Sequence, residues 1–405
     1  MPYKAALEWI KDQKPNLLKT LMEWSSINSG SFHVAGIERQ AEAIKTLFST
    51  LGAELQTFKL DPLRTLSDQA EILNFPVGPL LRYTKRPKAR KQILLTGHMD
   101  TVFPEDSAFQ TPRLEGDKLI GPGVVDMKGG ILVMFAALSA LEQSPYAEEI
   151  GWEIIFNPDE EIGSLGSASH LRDAAKGKDF GLIFEPAMDE HGCVVDKRKG
   201  SGKIAVAVTG IAAHAGRDFH KGINAITGLS DFLLRMDQLN GQREGFTLNV
   251  GKVIGGIAEN VVPEHAVARL DVRYEDVNDR VWLMQKIDEA LAEWKKLHKA
   301  SIQIEPVFTR DPKNIDLRYQ ELLDQVILTG KALNQSIATK HSGGVCDGNI
   351  LASAGLVNVD TLGVCGGGLH SEQEYMFPES LVTRAQLTAL LILRYAAGEW
   401  SFQHA

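Results

Sequence analysis

Residues 91–102 read KQILLTGHMDTV, and this stretch decides the fold. Ile93-Leu94-Leu95 is a short apolar run without polar alternation, as a strand buried on both faces requires. Two more such runs follow, Trp152 to Phe156 and Gly181 to Phe184, each giving way to polar or acidic residues. Between the first and second lies Gly129 to Glu142, apolar, alanine-rich and of helical length. Strands separated by helices predict an α/β fold, a mixed and largely parallel sheet flanked by helices. In such sheets functional side chains gather just past the carboxyl ends of the strands. His98, Glu160 and Glu185 stand at those ends.

Working outward, the pattern changes between Lys197 and Phe308. Ile204 to Val208 reads as a strand, and Ile223 to Met236 as a helix with Ile226, Leu229, Leu233 and Met236 on its apolar face. Val267 to Arg273 alternates, with Ala268, Leu270 and Val272 opposite Arg269, Asp271 and Arg273. Val281 to His298 is a second amphipathic helix, and Ile302 to Phe308 a closing strand. This is the order of an α+β two-layer sandwich, one sheet with two helices. Strand-and-helix signals of the first kind resume at Leu322 to Leu333 and Leu381 to Tyr395. The expected organisation is therefore one domain made of residues 1–196 and 309–405, with residues 197–308 inserted in it.

A chain of 405 residues is too long for one ordinary core, which agrees with two domains. Hydrophobic residues make up 44% and charged residues 23%, as in soluble globular proteins. The net charge of −9 disfavours a nucleic-acid partner, which needs a basic face. The one basic run, Lys85 to Lys91, reads as a solvated loop ahead of the Ile93 strand. Cys193, Cys346 and Cys365 cannot all pair and show no CxxC spacing, so a reducing compartment or inert thiols are expected, and no disulfide framework. Met1 to Trp24 interleaves lysines with apolar residues as one amphipathic helix, unlike a leader peptide. No stretch approaches a membrane span. A cytoplasmic protein without a membrane partner is the expectation, with a mature exported form left open.

The chemistry-bearing motifs begin in the opening stretch. His98 and Asp100 lie two apart after a buried strand, which puts imidazole and carboxylate on one side of an extended segment. A metal-bound histidine needs an outer group to fix its tautomer, and Asp100 is placed to supply it. In Gly121-Pro122-Gly123-Val124-Val125-Asp126-Met127-Lys128-Gly129-Gly130, the glycines allow close backbone approach. Asp126 is either a site residue or the cap of the helix that follows. In Asn157-Pro158-Asp159-Glu160-Glu161-Ile162-Gly163-Ser164, crowded carboxylates repel unless a dication lies near. One glutamate can then ligate while its neighbour works on water; a solvated acidic turn is the plainer alternative. Glu185 is another carboxylate past a strand, and Gly366-Gly367-Gly368-Leu369-His370 sets a histidine behind a glycine turn. A phosphate loop is disfavoured there, since no lysine follows in register. Two histidines with at least three carboxylates match the mixed nitrogen and oxygen ligand sets of catalytic zinc sites.

The ordered set GHMDTV, GPGVVDMKGG, PDEEIGS, FEP, HAG and GGGLHSEQEY resembles one metallopeptidase family over most of the chain, from about Trp24 to Phe377. That family includes glutamate carboxypeptidase, acetylornithine deacetylase, succinyl-diaminopimelate desuccinylase and aminoacylase, and the overall likeness is strongest to glutamate carboxypeptidase. The resemblance implies two Zn2+ ions, with Co2+ or Mn2+ as alternatives, held by His98, Asp126, Glu161, Glu185 and His370, with Asp126 bridging. It implies Glu160 as general base, Asp100 as the group orienting His98, and a cis Asp126–Met127 peptide. It also implies a homodimer joined through the insert, in which His214 reaches the partner's active site. Asn260 and Arg273 resemble the pair that holds the substrate's carboxylate, with Arg310 a looser candidate; His214 as a turn residue and Arg273 as a solvated strand residue are the plain alternatives. Cys346-Asp347 departs from the family pattern, where serine or threonine precedes the aspartate. The implied activity is hydrolysis of an amide next to a free-carboxylate amino acid, in a peptide or acyl-amino-acid substrate. Two rivals remain: an N-acyl-amino-acid deacylase of the deacetylase or desuccinylase type, and a metal-binding protein without turnover, against which Glu160 argues.

Overall fold

A computed structural model describes residues 3–404. The main sheet has six strands in the order Glu54–Phe58, Leu80–Lys85, Ile150–Asn157, Lys91–His98, Phe180–Ile183 and Asn358–Val359. The last four run parallel, and the first two join antiparallel at one edge. His98 pairs with Asn157, while Ile183 pairs with Thr96. Glu185, two residues past Ile183, therefore comes level with His98. The register alone brings three site-bearing segments to one rim.

Helix Gly129–Glu142 crosses the sheet and packs with helix Glu379–Ala396 in the main core. Its start presses so closely on the Phe184 strand exit that a Cβ at Gly130 would lie 2.0 Å from the Phe184 carbonyl oxygen. Only glycine permits that approach, which carries the preceding Asp126 to the rim. The 19-residue segment Val124–Glu142 is long and apolar enough to cross a membrane, with an 18-residue window of mean hydropathy 1.8, contrary to the expectation that no stretch comes near a span. Of that window 94% is buried, which marks a core helix walled by protein.

At the start, two helices replace the one expected: Lys4–Asp12 and Lys14–Ser25 break at Gln13. Pro15 has no N–H to offer the Lys11 carbonyl, so the first helix ends there. Met1 and Pro2 lie outside the described residues. All three cysteines are buried and unpaired.

The insert forms an antiparallel sheet in the order Thr247–Gly255, His265–Tyr274, Gly200–Thr209, Ser301–Arg310. Helices Ala225–Asp237 and Val277–Leu297 cover one face, with Leu229, Phe232, Leu283, Ile287 and Trp294 against Val206, Val208, Ala268 and Leu270. The edge strand Thr247–Gly255 escaped the sequence reading because only Leu248 along it is buried and its register slips between Val250 and Lys252. On the other face sits a hairpin from the main domain, Leu63–Leu66 with Ile72–Phe75. Its Leu66 packs on Ala207 and Val267, while Asp68 pairs with Lys252 at 2.9 Å and Arg64 with Glu305 at 3.5 Å. The two connections between the domains are pinned together. Arg198 and Lys313 exchange main-chain hydrogen bonds at 3.0 Å, and both side chains meet the buried Asp360 carboxylate at 2.8 Å.

Candidate active site

Five side chains converge at the rim. The imidazole Nε2 of His98 lies 3.2 Å from Asp126 Oδ1 and 3.9 Å from Glu185 Oε1. On the opposite side, His370 Nε2 lies 3.4 Å from Asp126 Oδ2 and 3.4 Å from Glu161 Oε2. The two oxygens of Asp126 thus face two different histidines, each with a further glutamate. Asp126 precedes a cis peptide to Met127, in agreement with the resemblance. The grouping is compact, since ligand atoms of His98, Glu160 and Glu185, and of His98, Asp126 and Glu161, all come within 4.8 Å of one another.

The surroundings fix these groups. His98 Nδ1 lies 2.9 Å from the Asp100 main-chain carbonyl, with the Asp100 carboxylate 3.4 Å away. An Nδ1–H donated to that carbonyl leaves Nε2 free to ligate. The Asp100 group nearest His98 is thus its main-chain carbonyl, where the expectation was its carboxylate. The Asp100 carboxylate instead accepts the main-chain N–H groups of Glu160 and Glu161 at 3.1 Å and the Ser31 hydroxyl at 2.8 Å. Glu374, in the GGGLHSEQEY stretch, carries no role in the family resemblance. Its buried carboxylate accepts the N–H groups of Gly123, Val125 and Asp126 at 2.9–3.1 Å and so holds the loop bearing Asp126. Of the three crowded acids, Asp159 turns inward and caps Gly166 and Ser167, a structural task.

The matching family model is that of peptidase family M20/M25/M40, over residues 94–394. The chain belongs to this family. Carboxypeptidase G2 of Pseudomonas sp. (strain RS-16) is 29% identical over 391 residues, covering 96% of this chain and 91% of that one. Succinyl-diaminopimelate desuccinylase of Novosphingobium aromaticivorans is 26% identical over 321 residues, covering 76% and 82%. A solved structure of a dinuclear metal-binding M20 peptidase, the YXEP protein of Bacillus subtilis, superposes with a TM-score of 0.66 at 14% identity, covering 96% and 99%. The protein is thus a metal-dependent hydrolase of the M20 peptidase and amidohydrolase class.

In this M20 site the charges are far out of balance without a cation. Burial pushes the Glu160 carboxyl up to about 7, with Arg310 and His98 pulling the other way. Burial and neighbouring acids hold the Glu161 and Glu185 carboxyls well above the usual range. Burial alone would depress His98, yet Asp100, Asp126 and Glu185 together raise it well above its ordinary value. Four carboxylates, those of Asp126, Glu160, Glu161 and Glu185, share two imidazoles and one guanidinium, a mixed nitrogen and oxygen donor set suited to divalent cations.

The site opens into a cleft of about 910 Å³ between the domains, lined by Glu160, Glu161, His370, Arg273, Arg310 and the hairpin residues Leu63 and Ile72. Arg273 lies in that cleft with its guanidinium on Asp271 at 2.8 Å and 3.2 Å. Arg310 is buried and sits on Glu160, with Nη2 2.7 Å from Oε1. The structure does not bring His214 or Asn260 into the cleft of their own chain. They stand side by side on the insert, where His214 pairs with Val261 and Ala215 donates to the Asn260 carbonyl, and both are exposed. Cys346, the departure from pattern, caps helix Asp347–Ser353 by accepting the Gly348 N–H. Asp347 accepts from Asn157 at 2.8 Å and from Ser164 at 2.5 Å, tying down the Glu160 loop from below.

Proposed function

We propose that this M20 hydrolase is a two-zinc enzyme that releases a free-carboxylate amino acid from a peptide or acyl donor, in the manner of a carboxypeptidase. The observation that carries the reading is Asp126, whose two oxygens face His98 at 3.2 Å and His370 at 3.4 Å. His98, Asp126 and Glu185 would hold one ion, and His370, Asp126 and Glu161 the other. Bound there, the ions supply Lewis acidity and make water acidic enough to lose a proton near neutral pH.

Glu160 does the proton work. Its carboxylate takes a proton from the attacking water as the oxygen adds to the scissile carbonyl. It then gives that proton to the departing nitrogen as the C–N bond breaks, so one water yields a carboxylate and an amine. Arg273, already in the cleft, grips the substrate's α-carboxylate in a bidentate fork by exchanging Asp271 for it. The 29% identity to carboxypeptidase G2 over 96% of the chain supports this substrate class.

The active unit is a homodimer in which His214 and Asn260 serve the partner's site. Both are exposed and absent from their own cleft. The insert's edge strand supports such pairing, since Val253 is 54% and the adjoining Ile257 89% exposed beside Ile226 of the neighbouring helix. The outer side of a sheet-edge strand is a template for a strand of a second copy. The desuccinylase relative favours a second reading, an N-acyl-amino-acid deacylase selecting its acyl group. Hydrolysis of matched panels by the zinc-loaded enzyme separates the two. Turnover that follows the terminal amino acid across many acyl groups supports the carboxypeptidase reading, and dependence on one acyl group refutes it.

A further inference from the structure

Arg310 is the last residue of the strand Ser301–Arg310, by which the chain leaves the insert and returns to the main domain. Its guanidinium is buried, and a single nitrogen, Nη2, serves the whole Glu160 loop. It meets the Glu160 carboxylate at 2.7 Å, the Glu160 carbonyl at 2.8 Å and the Ser164 hydroxyl at 2.9 Å, with Asp347 at 3.5 Å. The preceding Thr309 donates its hydroxyl to the Gly163 carbonyl at 2.9 Å. The loop 160–164 is therefore bonded along its length to the exit strand of the insert. A guanidinium is suited to this, because it stays charged and holds side-chain and main-chain oxygens in one plane.

We propose that Arg310 is a positioning residue that couples the placement of the inserted domain to the aim of Glu160. This rests on the reading of Glu160 as the base. The contact is made to the acid that moves the proton, while the residue itself belongs to the strand that carries the insert. A displacement of the insert about its two connections moves Arg310 and Thr309 with it, and the loop follows. The alternative task for Arg310, gripping the substrate's carboxylate, would fall to its remaining donors, since Nη2 is committed to the loop while Nε is buried without a partner; the substrate pair in the test separates the two tasks.

The test compares Arg310→Gln and Arg310→Lys with wild type, all loaded with zinc and checked for metal content and melting temperature. Substrates are an acyl-glutamate and its α-amide. Misplacing a catalytic group by about 1 Å costs roughly 10²-fold, so Arg310→Gln should lower kcat about 10²-fold on both substrates with KM within about threefold. Lysine restores a charge at Glu160 but cannot also hold the carbonyl and Ser164, so Arg310→Lys should recover part of kcat. In a Glu160→Gln background, Arg310→Gln should add little further loss, because the group it positions is gone. A rise in KM confined to the free-carboxylate substrate, with kcat intact, overturns the proposal and makes Arg310 a substrate ligand. Independent, multiplicative losses in the double variant also overturn it. Near-normal turnover by Glu160→Gln alone would instead remove the underlying reading of the base. If Arg310→Gln does not fold, the same split is read from Arg310→Lys and from Ser164→Ala.

Discussion

Glu374 would touch no ion, yet it fixes the loop that carries Asp126, the carboxylate proposed to bridge the ions. Its Oε1 accepts from Val125 at 2.9 Å and Asp126 at 3.1 Å, and its Oε2 accepts from Gly123 at 3.1 Å. Glutamine keeps the volume but has one acceptor oxygen. With that oxygen toward Val125 and Asp126, the amide NH2 faces the Gly123 N–H and a buried donor is left without a partner. Such a loss costs about 1–3 kcal/mol. At roughly 1.4 kcal/mol per tenfold, that is about 5- to 150-fold in zinc affinity if the strain falls on Asp126. Outer partners of metal ligands generally contribute about 10- to 100-fold. Competition with a chromogenic chelator, in protein shown to be folded by circular dichroism, measures the effect. Zinc affinity within about twofold of wild type in Glu374→Gln would refute the claim that Glu374 sets the bridging carboxylate.

Asp360→Ala leaves Arg198 and Lys313 buried without their shared anion, so unfolding free energy should fall by about 3–5 kcal/mol, measured by urea titration. Although burial opposes it, the two cations hold the Asp360 carboxyl below its ordinary value. Its contribution should thus be complete above the unfolded carboxyl pKa and fade as pH falls through the folded one, a loss absent from the variant. Arg273→Ala should raise KM strongly for substrates with a free α-carboxylate and leave amidated analogues little changed; equal losses on both would make Arg273 structural. Glu160→Ala and His214→Ala should each be nearly inactive, and subunit exchange between them should restore roughly a quarter of wild-type sites. No recovery with exchange confirmed would place His214 in its own chain's chemistry or outside it.

Much of the main domain was legible because its signals are local and strong. Ile93-Leu94-Leu95 and Trp152 to Phe156 are buried on both faces, so their apolar runs show without any partner in view. The helix Gly129–Glu142 was readable to its ends for the same reason. The insert's edge strand and the hairpin Leu63–Phe75 were not, because exposed edges carry little hydrophobic pattern and a latch acts through contacts distant in sequence. The site divides in the same way. His98, Asp126, Glu161, Glu185 and His370 stand out as acids and imidazoles after strands or glycine turns, while their assignment as one ligand set comes from the family resemblance. Glu374 and Asp347 act by accepting main-chain and side-chain donors far away in the chain. The commitment of Arg310 to Glu160 is likewise a fact of the fold, since 150 residues separate them. Asp100 lies between these cases: its place beside His98 is local, whereas its hold on the Glu160 loop is not.

The central claim, a pair of ions joined through Asp126, is tested most directly by counting metal. Zinc per chain is measured by inductively coupled plasma mass spectrometry after dialysis, for wild type, Asp126→Ala, His98→Ala, His370→Ala and Glu160→Gln. About two ions are expected in wild type and in Glu160→Gln, about one in each histidine variant and almost none in Asp126→Ala. A single ion per wild-type chain, or an Asp126→Ala protein that keeps both ions, would contradict the bridged pair.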